Sequence, residues 1–424
     1  MSRTLILIAT VAAILALLAP GAGAQEMIQV ADEVRVSYTS EAFDGAGVAN
    51  VAKSRHGRLV WSQELHMPGA SFITPHFSHF DLPRGAKVVV RAPDNSRSWT
   101  FTGFGKADQY IDGGFWGIHI YGPTAVVELY SKVPVEKGAV LIDAFTHGYP
   151  DLQWPDATNK AEGPSVDDFS NDPFWLRAMG GQKAICASDD SEWAKCYQSS
   201  EPTIYSESRA VARLLINGSG ACTGWLVGSD GHLMTNEHCI TNSSQASNTN
   251  YEFLAEGSSC SSNCASFGGC PGTVVATSAT LIQDDATLDY ALVKLPTNPT
   301  GTYGYMQLRS AGAVTNERIY IPQHPAGWGK RIGVFSGDAS DQSCFCEVTS
   351  LNRPPCSGGS GSDVGYYCDT QGGSSGSPVL GYSDHLVVAL HHCANCPNRG
   401  VPIQSIISDL GSNLPPNALP GGGG

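Results

Sequence analysis

The sequence predicts an all-β, loop-rich protein in two folded parts. Three observations lead to this. Glycine is frequent, 48 of 424 residues, and charged side chains are sparse at 15 %, against about 25 % in average soluble chains. Short β-branched and aromatic runs alternate with Gly, Pro, Asn and Asp turn signals at a spacing of roughly 8–12 residues, the pattern of sandwiches and barrels rather than of helices. All 13 cysteines lie at or beyond Cys186, so the two parts differ in composition, and a single core rarely grows past about 250–300 residues. The 25 basic and 39 acidic residues give a net charge of −14. That balance argues against nucleic acid or an anionic membrane surface as a partner.

Taken in order, residues 1–24 read as a secretory signal peptide. Arg3 precedes an apolar run over residues 5–18, and Gly21-Ala22-Gly23-Ala24 supplies a small-residue cleavage site near Ala24 and Gln25. The run is shorter than the roughly 20 residues a membrane span needs. Residues 25–150 are expected to form a β-sandwich. Its strands are read over residues 87–91, 99–104, 115–121, 124–130 and 140–147, broken by Pro93-Asp94-Asn95, Asp112-Gly113-Gly114 and Gly122-Pro123. Its scattered His56, His66, His76, His79 and His119, and its Trp99, Phe115 and Trp116, read as surface or core residues rather than as a ligand site. Residues 151–183, poor in aliphatics, read as an acidic linker, with Arg177 and Lys183 as candidate maturation sites. Residues 184–414 return to strands and Gly/Ser loops, now with the cysteines, and residues 415–424 read as a disordered tail. In an exported chain the cysteines read as disulfides, and 13 is odd, so at least one is unpaired or bonds another chain. Asn217-Gly218-Ser219 and Asn242-Ser243-Ser244 match the glycosylation pattern.

Three segments of the second part carry chemistry. The small residues of Gly373-Ser374-Ser375-Gly376-Ser377-Pro378 let backbone N–H groups approach a substrate carbonyl and hold an oxyanion beside a serine. A serine hydroxyl is a poor nucleophile unless an imidazole takes its proton. His238 offers one, next to Cys239, and a Cys222–Cys239 bridge across a hairpin-like pattern would pin it to the preceding strand. Asp289 precedes the alternating strand Tyr290-Ala291-Leu292-Val293 and can hold the imidazole tautomer. The neighbouring Asp284 and Asp285 lie in a run that reads as surface turn.

In the order His, Asp, Ser, these segments resemble the chymotrypsin-like serine endopeptidases, and more closely the bacterial lysyl endopeptidases. The likeness runs from Cys186 and Cys196 through the Cys222–His238–Cys239 block, Tyr251-Glu252-Phe253 with Cys260, Asp289, and His324-Pro325. It continues to residues 373–379 and Leu390-His391, covering roughly residues 186–410. The resemblance implies a double β-barrel with the site between the barrels. It implies His238 as general base, Asp289 as its orienting acid, Ser375 as nucleophile, and the amides of Gly373 and Ser375 as the oxyanion hole. It implies disulfides from Cys186 to Cys393 or Cys396 and from Cys196 to Cys260, and a removable pro-region before the protease. Two departures stand out: Asn236-Glu237 precedes the histidine, with Glu237 expected to point away, and Ser374 replaces the aspartate that trypsins use in activation.

Specificity reads two ways. Asp369, six residues before Ser375, matches the pocket carboxylate of trypsins. Thr370 and His391 match positions that glutamyl endopeptidases use on an acidic side chain. A buried carboxylate repels such a side chain, so the expectation is cleavage after Lys or Arg, with Glu as the alternative. His391-His392-Cys393-Ala394-Asn395-Cys396 has zinc-like spacing, but disulfides are expected there and neither metal nor cofactor is implied. The expectation is a secreted, monomeric serine endopeptidase acting on peptides. Its rival is a catalytically inactive protease homologue that acts as a binding protein.

Overall fold

The computed structural model describes residues 27–45, 57–107, 109–149, 185–341, 344–356 and 361–421. The expected signal segment, the expected linker over residues 151–183 and the last three glycines lie outside them.

Two sheets form the amino-terminal part. In one, Phe72–Phe80 pairs with Val140–Gly148, which pairs in turn with Ala31–Thr39; Phe115–Trp116 and Ile120–Tyr121 also pair with Phe72–Phe80. In the other, the order is Arg58–His66, Thr124–Ser131, Ala86–Arg91 and Ser98–Phe101. Ala86–Arg91 alternates buried and half-buried positions, the two-residue period of a strand with one face in a core. That core is aromatic: Phe77, Phe80 and Phe101 lie 5.1, 5.3 and 5.4 Å from the ring of Phe115.

Several strands differ from expectation. The run over residues 115–121 is two short strands, because the opposing strand carries Pro75, which has no N–H for the ladder. The strand expected to reach Phe104 stops at Phe101, where a turn closes between Gly105 N–H and the Thr102 carbonyl. Ala31–Thr39, Arg58–His66 and Phe72–Phe80 were not anticipated; the first two carry exposed polar residues along one face.

The second part is the chymotrypsin-like all-β fold, two eight-stranded antiparallel sheets among the described residues. The first contains Val211–Ile216, Gly220–Val227, His232–Thr235, Thr249–Phe253 and Tyr290–Lys294. The second contains Ile319–Gln323, Asp363–Tyr366, Pro378–Gly381, Val387–Cys393 and Asn398–Pro402. Six disulfides staple this part: Cys186–Cys396, Cys196–Cys260, Cys222–Cys239, Cys264–Cys270, Cys346–Cys368 and Cys356–Cys393. Cys344 is free and exposed. The expected disordered tail is a correction: the Ser229 and Leu308 amides donate to Pro416 and Ala418, and Ala418 is buried in the core.

The two parts are welded. Ile28–Gln29 adds a strand to the first sheet of the second part, Ile28 opposite Ala221. Phe72, Leu215 and Ala221 share one apolar cluster with Val30 and Ala31. Val211–Ile216 and Gly220–Val227 are buried along their whole length, and the sandwich covers Leu215 and Ala221 there.

Candidate active site

Asp289 sits at a left-handed position, φ +45°, before its strand, and its carboxylate is buried against two histidines. Its oxygens lie 2.8 and 3.0 Å from His238 Nδ1, and one accepts the His238 backbone amide at 3.0 Å. Asn236 Nδ2 donates to the Asp289 carbonyl at 2.8 Å, so the unusual residue before the histidine fixes the acid's backbone. With Nδ1 as donor, His238 Nε2 is the free base. It is buried and has no hydrogen-bond partner, so it does not contact Ser375 Oγ at rest; such contacts often tighten only with substrate.

The second histidine is His392. Its Nδ1 lies 3.1 Å from the Asp289 carboxylate and its Nε2 3.0 Å from that of Asp363. Burial by itself would depress its imidazolium, but the two carboxylates outweigh it and raise the pKa to about 9. Burial alone would raise Asp289, yet His238 and His392 hold its carboxyl well below the usual range. The acid therefore stays ionised between two imidazoles. Glu237 is partly buried, and its carboxyl is raised by that burial and then by repulsion from Asp289. Asp285 accepts the amides of Thr287 and Leu288 and so shapes the turn.

The Ser375 loop is seated by Thr223. The Thr223 amide donates to the Ser375 carbonyl at 2.9 Å and its hydroxyl to the Gly373 carbonyl at 2.9 Å. Gly376 must be glycine: its φ is +88°, and a Cβ would fall 2.1 Å from the Thr223 carbonyl oxygen. Gly373 has φ +93°. Among the described residues, the amides of Gly373 and Ser375 meet no protein acceptor, which leaves two donors for an oxyanion. Ser374 donates to Gln323 Oε1 and accepts from the Gln371 amide, bracing the loop from within.

Asp369 requires a correction. Its oxygens accept the amides of Cys186 and Asp190, each at 2.8 Å, and burial, opposed by those two bonds, raises its pKa to about 8. The carboxyl group anchors the start of the second part through these two amides and is not an open partner for a basic substrate. Thr370 Oγ1 and His391 Nε2, by contrast, are buried without partners. Tyr366 Oη lies 2.7 Å from His391 Nδ1; burial, then the charges of His392 and His238, push the His391 pKa down to about 3. His391 is therefore neutral, and with Nδ1 accepting from tyrosine its Nε2 carries a proton to donate. The zinc-like spacing is accounted for otherwise: Cys393 and Cys396 are in disulfides with Cys356 and Cys186. The sequence reading noticed His392 only within the zinc-like spacing and gave Asp363 and Thr223 no role. The paired histidines were the one signal, and nothing in the sequence places Asp363 beside them.

The model of a trypsin-like peptidase domain matches residues 222–390. Among solved structures, an HtrA-type protease bound to a tripeptide is similar at 15 % identity over 50 % of this chain, TM-score 0.37. The chain spans 62 % of that protein's length. A Glu endopeptidase is similar at 17 % identity, over 54 % of this chain and 99 % of its own, TM-score 0.36. The secreted RxLR effector protein 73 of Plasmopara viticola is 44 % identical over 344 residues, 80 % of this chain and 79 % of its own. The chain belongs to the family of that effector, with a trypsin-like peptidase domain as its second part.

Proposed function

We propose that the protein is a secreted serine endopeptidase in which Ser375, His238 and Asp289 form the catalytic triad. The observation that carries this is the Asp289–His238 pair, whose Nε2 is left without a partner, together with a glycine-bounded Ser375 loop whose Gly373 and Ser375 amides meet no acceptor among the described residues. Ser375 Oγ attacks the scissile carbonyl while Nε2 takes its proton, and the Gly373 and Ser375 amides hold the resulting oxyanion. The imidazolium then gives that proton to the leaving amine, and water repeats the sequence on the acyl-enzyme. Asp289 keeps Nδ1 protonated and stabilises the imidazolium. Export through residues 1–24 is supported by the relative's description as secreted.

For specificity the geometry favours the alternative over the initial expectation. Cleavage after Lys or Arg rested on Asp369, whose carboxylate is committed to two backbone amides. Thr370 Oγ1 and His391 Nε2 are two buried donors without acceptors, and an acidic substrate side chain would satisfy both. A removable pro-region is not favoured either. Taking residues 25–183 away would strip Ile28–Gln29 from its sheet and uncover Leu215 and Ala221. We infer that the sandwich stays docked in the active enzyme.

The test is a fluorophosphonate probe on the full chain, with the label mapped by mass spectrometry, followed by peptide-library cleavage. Label is expected on Ser375 and absent in Ser375→Ala, with kcat lower by about 10⁶. Cleavage is expected after Glu, weakened roughly 100-fold by His391→Leu and retained in Asp369→Asn. Folded protein that takes no label would establish the inactive-homologue reading instead.

A further inference from the structure

The contact between the two parts reaches the oxyanion loop. Arg213, buried on strand Val211–Ile216, is the centre of it. Its Nε and Nη2 donate to Glu252 at 3.0 and 2.8 Å, its Nη2 lies 2.8 Å from Tyr121 Oη, and its Nη1 donates to the Gly327 carbonyl at 3.1 Å. Tyr121 belongs to the sandwich; it donates to Glu252 at 2.6 Å, and Arg97, also of the sandwich, reaches the same carboxylate at 3.0 Å. The sandwich thus fixes the guanidinium that grips Gly327.

Gly327 closes a short turn whose previous residue, Ala326, has φ +52° and donates its amide to the Gly372 carbonyl at 2.6 Å. The peptide of Gly372 leads directly into the Gly373 amide, one of the two oxyanion donors. A second path runs parallel. Phe72 of the sandwich packs on Phe267 at 4.7 Å, and Phe267 presses on Gly327 so closely that a Cβ there would lie 2.4 Å from the ring. Both paths are packed without slack, so a shift at the interface is passed on rather than absorbed.

We propose that the amino-terminal sandwich is a built-in activator that holds the oxyanion loop in register, with Tyr121 and Arg213 as positioning residues. The inference rests on the reading of Ser375 as the nucleophile. It assigns the sandwich a function in the working enzyme: an oxyanion donor displaced by about 1 Å loses much of its transition-state stabilisation, and although the Gly268 amide and the Gly269 carbonyl also hold Gly327 and Arg213 from within the second part, Tyr121 is the sandwich's own hydrogen bond to the guanidinium.

The test compares Tyr121→Phe with Thr146→Val in the full chain, using labelled casein hydrolysis and the rate of fluorophosphonate labelling. Thr146 Oγ1 donates to the Gly218 carbonyl at 2.7 Å, so its variant weakens the same interface away from the relay. In protein shown to be folded by calorimetry, Tyr121→Phe is expected to lower kcat and labelling rate roughly tenfold with KM little changed, while Thr146→Val keeps wild-type kcat. Wild-type kcat in Tyr121→Phe, or equal losses in both variants, overturns the relay. If Tyr121→Phe does not fold, Phe72→Leu reads the parallel path, with a fall in kcat supporting the proposal and an unchanged kcat refuting it. Absence of label on wild-type Ser375 defeats the endopeptidase reading itself, and the relay with it, and is distinct from a labelled wild type that Tyr121→Phe leaves unaltered.

Discussion

His392 shows what one residue adds to the site. Its two ring nitrogens face two carboxylates, so it shares the Asp289 carboxylate with His238 and keeps a positive charge beside that pair. Its folded pKa of about 9 lies above the ordinary value of about 6.5. Between those values the folded protein binds the proton and the unfolded chain does not. Its contribution to stability is therefore complete below about pH 6.5 and is lost as pH rises toward 9. Thermal unfolding across pH 6–9.5 should show the wild type losing more than His392→Gln over that window; equal slopes would mean the histidine is neutral throughout. Asp369 teaches the converse. Its place six residues before the serine matched a specificity role, but its two oxygens are spent on amides of a segment over 170 residues away in sequence.

Strands and staples set the site's geometry at the next scale. His232–Thr235 and Tyr290–Lys294 are paired, Thr235 opposite Ala291, so the residues just beyond each, His238 and Asp289, meet at the same sheet end. The Cys222–Cys239 bridge, spanning 17 residues, ties the histidine's turn to the strand that carries Thr223, which in turn seats the Ser375 loop. Replacing both cysteines by alanine is expected to cost about 3 kcal/mol, the loop-closure value for such a span. Denaturant unfolding gives that number, and the label on Ser375 should slow as well, because the same bridge joins the histidine's turn to the strand that seats the serine loop. Loss of stability with an unchanged labelling rate would confine the bridge to a structural role.

At the scale of the whole molecule, the contact between the parts is a buried ionic cluster. Glu252 is fully enclosed with Arg213, Arg97 and Tyr121. Burial opposes its charge, but Arg213 and then His119 and Arg97 hold its carboxyl well below the ordinary value. Glu252→Ala would leave two arginines unpaired and is expected to cost about 3–5 kcal/mol. Because the sandwich and the first sheet of the second part share this cluster and one strand, calorimetry should find one cooperative transition for both parts, at lower temperature in the variant. Two separate transitions in the wild type would contradict the weld. His119, next to Glu252, has its pKa pushed down to about 4 by burial and then by Arg97. Its neutral form suits the fold, so its share of stability is present above about pH 6.5 and is lost as pH falls toward 4. The interface is expected to loosen in acid.

The sequence by itself determined the fold class, and it supplied the residues on which the proposed site is built. Turn chemistry, strand periodicity and glycine-bounded serine are local properties, readable within a few residues of the position concerned. Only the tertiary structure decided the fate of Asp369, the presence of Asp363 behind His392, the packing of Ala418, and the bracing of Arg213 by Tyr121. Each of these depends on which distant segment arrives at a buried polar group or an uncovered apolar face, and burial raises the cost of leaving either unmatched. That demand selects partners across the whole chain, and no window of sequence contains them.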